Sequence, residues 1–494
     1  MNSAATNAKP KTSTLYTGDG HLEARQKRRE SLTALLFFSA TLVFISIFTQ
    51  QNVFLAGNDA SRFAHMESLA DYGVSYIDQS RYSWTVDKVT INGHDYSNKP
   101  PVPAIIGAGV YLLIREATGW TFATHETSCI YLLTLILAGI PTALLVAMFY
   151  LALGVYPSIS PVVRHLTTVA LAVGTILTSY SVTLNNHTNT AALIFAALYA
   201  AWNGRGILAG LALTLAICFE PSLGIGFVPV ILWIVFDKKK TGGFACLVSL
   251  CLGALLFLGA NQFTVGSILL PKMVPGAIDH SSYFSNTMAG VLLPRTWYYP
   301  FAVLFGGHGF FSVSPVLIFG IAGVYRASTR QIVLKRSWCL FIAITLCVQI
   351  LFHIAVGGSY SGWAYGFRYL IPLIPVISFF IPAAINALSS RFYAIILPVS
   401  ILFAVIGIYN PWPPCYEQEA HKDPIASMVT NPVGGNAAAF LERHWPNSAL
   451  SDLTGYLFIN HDPALRDMYY YYFFISKGDI AFAMKYRETA GKPE

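Results

Sequence analysis

Long runs of apolar residues alternate with shorter polar segments along almost the whole chain. The first run extends from Leu32 to about Leu55, directly after a polar and basic stretch. Further runs follow at 127–153, 163–183, 190–203, 206–219, 222–236, 243–262, 310–325, 338–356, 369–388 and 392–409. Many of them approach the ~20 residues that an α-helix needs to cross a bilayer. The pattern therefore predicts an all-α polytopic membrane protein with about eleven transmembrane helices.

One further apolar run, Val102–Ile114, is shorter than most of the others. Prolines and Arg115 bound it, and at ~1.5 Å per residue it falls short of the ~30 Å hydrocarbon core. We therefore expect an interfacial or re-entrant helix in the first outer loop. When this helix is left out of the spans, the basic loops fall on the cytoplasmic side, as the positive-inside rule requires. Their residues are Arg164, Arg205, Lys238, Lys239, Lys240, Arg326, Arg330, Lys335, Arg336 and Arg391.

The composition excludes a soluble enzyme. Charged residues make up 11% of the chain and the mean hydropathy is +0.54, whereas a soluble domain carries about 25% charge. The net charge of +7 is explained by membrane topology, so it predicts no nucleic-acid partner. Cys415 stands alone outside the apolar runs, and the other cysteines lie in or beside them. This distribution predicts neither a disulfide framework nor a cysteine metal site.

The same patterns divide the chain into three parts. We expect a cytoplasmic tail at 1–30, a transmembrane domain at 31–409 with its first extracytoplasmic loop at 56–114, and a small extracytoplasmic region at 410–494. In that last region the aromatic run Met468–Phe474 is too short to span, and it predicts a strand or an aromatic belt at the interface. We expect an integral protein of the bacterial inner membrane with a cytoplasmic N-terminus and an extracytoplasmic active face.

An acid and two bases follow the first span on the predicted outer face. Asp59 comes almost directly after the span, where a carboxylate can act as general base toward an incoming hydroxyl. The alternative is that Asp59 caps a helix that begins at Ala60. Arg62 falls on roughly the same helical face as Asp59, and it either binds an anion or reaches the lipid headgroups. His65 lies one helical turn further on.

Cations in the outer loops predict a site for a carrier phosphate. Lys99 precedes Pro100-Pro101, and proline biases the residue before it toward extended geometry. A lysine held there is a compact positive charge that suits either a phosphate or a lipid headgroup. Arg368 stands at the mouth of a later span, where a guanidinium suits a phosphate clamp. Arg295 lies in a long outer loop, and with Arg62 it completes the predicted set.

The remaining outer loops supply groups that suit a sugar or an acceptor. Amides and imidazoles hydrogen-bond to hydroxyls, and aromatic rings offer a face for a sugar ring. An acid at the end of an apolar span is costly, which favours a function for it. For His187 a satisfied polar turn is the alternative, and no second ligand stands at metal spacing. The candidate substrate-binding residues are His65, Asn186, His187, Glu220, His308, Tyr360 and Trp363.

The motifs in the first half of the chain resemble those of the GT-C superfamily of polytopic glycosyltransferases. The resemblance is to the branch of bacterial aminoarabinose transferase and protein O-mannosyltransferases. It is carried by Asp59 with Arg62 after the first span and by Lys99-Pro100-Pro101 at the end of the loop. It implies that Asp59 is the catalytic acid/base and that Lys99 contacts the carrier phosphate. The family's Asp-Glu pair is Asp59-Ala60 here.

Together these features predict an inverting glycosyltransferase. It would move a sugar from a polyprenyl-phosphate-linked donor to a glycan, lipid or protein acceptor on the extracytoplasmic face. We expect a monomer among membrane lipids with no required cofactor. A divalent metal stays open as an alternative that nothing in the sequence supports. The alternative is a transporter or flippase of a lipid-linked or small solute. Such proteins bind at the bilayer midplane and often show paired repeats, and neither feature is evident.

Overall fold

The computed structural model is 73% helical, in agreement with the predicted all-α class. It describes residues 17–53, 58–156, 158–228, 230–231, 242–280, 297–330, 333–356, 361–386, 388–414 and 431–487. The helices of the first half are α1 Thr17–Phe48, α2 Ala60–Glu67, α3 Pro101–Thr118, α4 Phe122–Thr134, α5 Ile140–Ala152, α6 Pro161–Val173, α7 Ile176–Ser181, α8 His187–Trp202, α9 Gly206–Phe219 and α10 Leu223–Gly226.

The second half continues with long helices and ends in a helical C-terminal region. Its helices are α11 Gly243–Val265, α12 Tyr299–Phe305, α13 Phe310–Val313, α14 Leu317–Thr329, α15 Arg336–Val356, α16 Ile374–Phe379, α17 Ile381–Ala384, α18 Ser389–Tyr409, α19 Pro432–His444, α20 Ala449–Phe458, α21 Pro463–Lys477 and α22 Ile480–Ala483. A 3₁₀ turn, Arg368–Leu373, precedes α16.

The helices identify an integral membrane protein, but the count of about eleven spans is not confirmed. Among the described residues, five helices are long and apolar enough to cross a membrane, and a bent pair raises the number to six. The pair is Tyr299–Val313 with Leu317–Thr329, bent by 100°. The five are Ala24–Phe48, Phe122–Val155, Gly243–Val265, Arg336–Ala355 and Ser389–Tyr409.

Several predicted spans are broken or short helices. The apolar run at 163–183 divides into α6 and α7, because the chain leaves helical geometry at Gly174 and Thr175. The run at 369–388 contains prolines that interrupt helical hydrogen bonding, and it forms a 3₁₀ turn followed by two short helices. Hydropathy alone detects the apolar run and not these breaks.

The first outer loop contains a β-hairpin and two helices. Strands β1 Lys88–Ile91 and β2 His94–Ser97 pair antiparallel. Asn92 and Gly93 both have positive φ, as a tight hairpin turn requires. Strand β3, Ile278–Asp279, pairs antiparallel with the other edge of β1. The residues after α11 are therefore attached to the first loop.

Helix α3 extends beyond the predicted short helix 102–114. It begins with Pro101 at a position where the missing N–H costs nothing, and it is not one of the five span candidates. One face of α3 packs on α2, where Gly107 lies so close to Met66 that a Cβ would be 2.3 Å from the methionine methyl. This contact holds α2, and the residues on it, against the helix that follows Lys99.

The C-terminal region is helical, so the strand alternative for Met468–Phe474 is wrong. The run lies within α21, and its rings pack into a small core of their own with Tyr486 from the following 3₁₀ turn. Lys477 Nζ donates to the Tyr409 carbonyl at 2.8 Å. The region is therefore attached to the end of α18.

The loops form two ends that differ in character. We call one the polar end: it contains residues 58–99, the α7–α8 turn, the end of α9 and the segments at 361–368 and 410–414. At this end Gln50 N, just after α1, donates to the Val182 carbonyl at 2.9 Å. We call the other the basic end, where Arg164 Nη1 lies 3.3 Å from Glu30 Oε1. Glu30 and Gln50 lie at opposite ends of the first span, roughly 30 Å apart at 1.5 Å per residue.

Candidate active site

Arg62 lies at the centre of a charged cluster at the polar end. Its Nε donates to Asn186 Oδ1 at 2.9 Å, and its Nη1 donates to the main-chain and side-chain oxygens of Asn58. Asn186 in turn donates to the Phe219 carbonyl at 2.8 Å. Arg62 therefore joins α2 to the start of α8 and the end of α9, through an asparagine that the sequence had marked as a site residue.

The charges around Arg62 have both signs. Burial lowers the pKa of Arg62 to about 10, while Asp87, Asp59 and Glu220 oppose the shift and Arg368 adds to it. Two arginines in one buried cluster repel each other. The cluster thus brings together the predicted residues Asp59, Arg62, Asn186, Glu220 and Arg368.

Asp59 is fully buried and caps α2. Its Oδ1 accepts from the Ala60 N–H at 3.0 Å, and its Oδ2 accepts from Gln50 Nε2 at 3.1 Å. The capping alternative is therefore observed. Neither bond removes the negative charge of the carboxylate, so capping and proton transfer are compatible at this residue.

Gln50 connects Asp59 to the residues after the last long span. Its Oε1 accepts from the Thr183 hydroxyl, and Thr183 Oγ1 accepts from the Trp412 indole N–H at 3.1 Å. The guanidinium carbon of Arg368 lies 5.1 Å from the centre of a Trp412 ring. This chain of contacts reaches from the first outer loop to the residues after α18. Gln50, Thr183 and Trp412 were not among the predicted site residues.

Lys99 pairs with Asp87 across the hairpin. Lys99 Nζ lies 2.7 Å from Asp87 Oδ2, and both side chains are partly exposed, at 17% and 15%. Burial lowers the pKa of Lys99 to about 7 against the attraction of Asp87. Burial acts to raise the pKa of Asp87, but the charge and hydrogen bond of Lys99 outweigh it and lower that pKa to about 2. Asp87 was not among the predicted site residues.

His187 and Glu220 form a second buried pair. His187 Nδ1 lies 3.0 Å from Glu220 Oε2. His187 begins α8 and Glu220 follows α9, so the α8–α9 hairpin brings the two side chains together. The structure therefore brings these two predicted residues into contact.

Arg368 is a predicted cation whose guanidinium lies among the aromatic rings of Tyr180, Tyr369 and Trp412. It stands at the start of the 3₁₀ turn, partly exposed, with its guanidinium carbon 5.4 Å from the Tyr369 ring centre. Its Nε has no hydrogen-bond partner within the part of the chain that the structure describes. A buried donor without a partner is costly, so an anion at this position would stabilise the site.

The remaining predicted residues either lie apart from this cluster or fall outside the residues that the structure describes. His65 is buried in α2 without a hydrogen-bond partner for either ring nitrogen among the described residues, and burial lowers its pKa to about 4. It is therefore neutral and buried within α2, and its assignment to the substrate site stays a prediction. His308 is buried near the Ala364 main chain, and the Trp363 ring lies 6.0 Å from that of Tyr472. Arg295 and Tyr360 lie outside the described residues.

No group of three or more His, Cys, Asp and Glu side chains within the described ranges is arranged to hold a metal ion. The cluster instead contains arginines, the Lys99–Asp87 and His187–Glu220 pairs, and the helix-capping Asp59. Such a set can bind an anion and accept a proton.

No family model matches the chain, and no curated protein matches it. Two solved structures of ArnT from Cupriavidus metallidurans are similar to it. One is the apo crystal structure, with 15% identity, 92% of this chain and 77% of that chain covered, and a TM-score of 0.43. The other is bound to undecaprenyl phosphate, with the same identity and coverage and a TM-score of 0.44.

Proposed function

We propose that the protein is an integral-membrane glycosyltransferase that uses a polyprenyl-phosphate-linked sugar donor. The observation that carries this proposal is the cluster in which the buried Arg62 and Asp59 lie near Arg368 and the Lys99–Asp87 pair. A lipid-linked phosphate arrives from the bilayer at that level. Of the predicted cations within the described residues, Arg62 is buried, whereas Arg368 and Lys99 are partly exposed.

The phosphate would lie between Arg368 and Lys99. Arg368 offers a planar guanidinium, a geometry that matches phosphate oxygens, and its Nε has no partner within the described ranges. Lys99 offers a point charge that Asp87 holds in place at 2.7 Å. As the bond between the anomeric carbon and the phosphate oxygen breaks, these cations stabilise the negative charge that develops on the leaving group.

Asp59 would act as the general base. The acceptor hydroxyl oxygen attacks the anomeric carbon from the face opposite the phosphate, which inverts the configuration. The hydroxyl proton passes to Asp59, and the polyprenyl phosphate leaves with the bonding electron pair. General-base help of this kind contributes about 10²–10⁴-fold in rate. For this to occur, the acceptor must reach a carboxylate that Gln50 and the α2 N-terminus now enclose.

We place the polar end on the extracytoplasmic face, because the basic end satisfies the positive-inside rule. The N-terminus is then cytoplasmic, and the acceptor is a glycan, lipid or protein outside the membrane. The protein would act as a monomer without a required cofactor.

A pair of assays tests this function against the transporter or flippase alternative. Purified protein in liposomes is given a radiolabelled polyprenyl-phosphate monosaccharide and, separately, extracted envelope acceptors. We expect label to move to the acceptor fraction and no acceleration of donor flipping between leaflets. Accelerated flipping without transfer would establish the alternative.

A further inference from the structure

A second group of polar side chains lies beside Arg368, within the helices. Gln349 and His353 are one turn apart on α15 and belong to the span Arg336–Ala355. Gln349 is fully buried and His353 nearly so. Polar residues inside a span are costly and usually serve a function.

These residues continue into the site already described. Gln349 Nε2 and His353 Nε2 lie 2.8 Å apart. The His353 ring stacks on Tyr369, with ring centres 5.5 Å apart and an interplanar angle of 10°. The Tyr369 ring lies 6.1 Å from His187, which pairs with Glu220 at 3.0 Å. One continuous set of polar groups therefore runs from α15 to the end of α9.

The set has hydrogen-bonding capacity that the described residues do not use. Gln349 Oε1 is buried and has no hydrogen-bond partner among them, and the same holds for Arg368 Nε. A core pair that served packing alone would be expected to have every buried polar atom hydrogen-bonded, which the bond between Gln349 and His353 does not achieve. The Gln349 oxygen can accept a hydrogen bond and the Arg368 nitrogen can donate one. Together they suit a ligand that carries hydroxyls as well as negative charge.

We propose that Gln349, His353, His187 and Glu220 bind the ring hydroxyls of the transferred sugar. The inference rests on the proposed function, since a phosphate at Arg368 is covalently joined to that sugar. Arg368 and Tyr369 are adjacent in the chain, so the set begins within about one sugar ring of the phosphate position. Gln349 Oε1 accepts from a hydroxyl, while Tyr369 holds the His353 ring in place. Specificity for the sugar is thus determined between α8, α9 and α15.

Binding of defined lipids to the full-length protein in nanodiscs tests the proposal. The probes are undecaprenyl phosphate alone and undecaprenyl phosphate bearing a neutral hexose, an N-acetylhexosamine or an aminopentose. We expect wild type to prefer at least one sugar-bearing lipid over the bare carrier. In Gln349→Leu we expect that preference to fall about tenfold, because a buried polar contact is lost, with affinity for the bare carrier unchanged.

Two further variants keep the test informative. Gln262→Leu, on α11, makes the same substitution at an exposed glutamine and should leave every affinity unchanged. His353→Phe retains an aromatic stack on Tyr369 and should also lower the sugar preference, which serves if Gln349→Leu does not fold. Unchanged preference in both site variants, or an equal loss for bare and sugar-bearing lipids, would overturn the sugar assignment.

The wild-type result separates the two proposals. If wild type binds the bare carrier as tightly as every sugar-bearing lipid, the sugar site is refuted while the use of a polyprenyl carrier stands. If wild type binds none of the lipids, the proposed function fails and the sugar site fails with it.

Discussion

The polar and basic ends both hold buried or half-buried arginines, but they satisfy them differently. At the basic end the buried Arg164 donates to the Tyr150 carbonyl at 2.9 Å and the half-buried Arg326 to the Ala384 carbonyl at 3.1 Å, while the exposed Arg336 donates to the Ser328 carbonyl at 3.1 Å. At the polar end Arg62 and Arg368 lie in one cluster with several acids, and Arg368 Nε is unpaired among the described residues.

At the basic end the arginines are bonded to main-chain carbonyls, whereas Arg368 has a donor without a partner among the described residues. Carbonyls near helix C-termini are natural partners for cations, so the basic end needs no ligand to be stable. Two arginines in one cluster repel each other, and Asp59, Asp87 and Glu220 offset only part of that repulsion at Arg62. The difference is what the proposed function expects if the polar end binds an anionic substrate and the basic end determines topology.

The largest expected contrast concerns the two faces of the membrane. Gln79→Cys at the polar end and Arg330→Cys at the basic end are both exposed positions. In a background without the native cysteines, we expect a membrane-impermeant thiol reagent on intact cells to label Gln79→Cys alone. Labelling of Arg330→Cys alone would invert the topology.

The next contrast is between arginines in transfer kinetics. Arg368→Ala should lower kcat/KM for a polyprenyl-phosphate sugar by about 10²–10³-fold, the range for removal of one group that stabilises transition-state charge. Arg326→Ala removes a guanidinium at the basic end and should stay within about threefold of wild type per folded molecule. Equal losses in the two variants would contradict the division between the ends.

A smaller effect is expected from the titration of Lys99. Because its pKa is lowered to about 7, Lys99 loses its charge as pH rises above 7, while Asp87, with a pKa of about 2, stays ionised. The apparent KM for a phosphodiester-linked donor should then rise by up to about tenfold per pH unit above 7. In Lys99→Arg the cation persists and the rise should be absent. A flat wild-type profile would remove Lys99 from phosphate binding.

The smallest effect on activity is expected at Arg164. Arg164→Met keeps much of the side-chain volume but removes the bonds to the Tyr150 carbonyl and to Glu30. We expect a loss of about 1–3 kcal/mol in the free energy of unfolding, measured by denaturation in detergent. Transfer activity per folded molecule should be unchanged, and a loss of activity without a loss of stability would give the basic end a catalytic role.

The sequence predicted the helical class and the loops that carry the site, because both follow from local hydropathy and charge. It placed Asp59, Arg62, Asn186, His187, Glu220 and Arg368 on one face, and the structure brings them together. It did not predict the contacts of Thr183 with Gln50 and Trp412, because these residues are 133 and 229 positions from it in the chain.

Two further differences have local causes. Asp87 reaches Lys99 only because the β1–β2 hairpin folds twelve residues back on themselves, and nothing in the spacing indicates that turn apart from Asn92-Gly93. His65 stands one helical turn after Arg62, yet neither ring nitrogen has a hydrogen-bond partner among the described residues, and its neighbours Ala64 and Met66 belong to an apolar core cluster. Spacing identified the helix, and the packing of α2 on α3 determined which side chains face the site.

The most direct test of the account is the single-turnover transfer rate of Asp59→Asn. Asparagine caps a helix about as well as aspartate, so the variant should fold and retain lipid binding. Asp452→Asn, an exposed acid on α20, is the matched control and should behave as wild type. We predict that Asp59→Asn lowers the rate by about 10²–10⁴-fold. A rate within about threefold of wild type would contradict the assignment of Asp59 as the base.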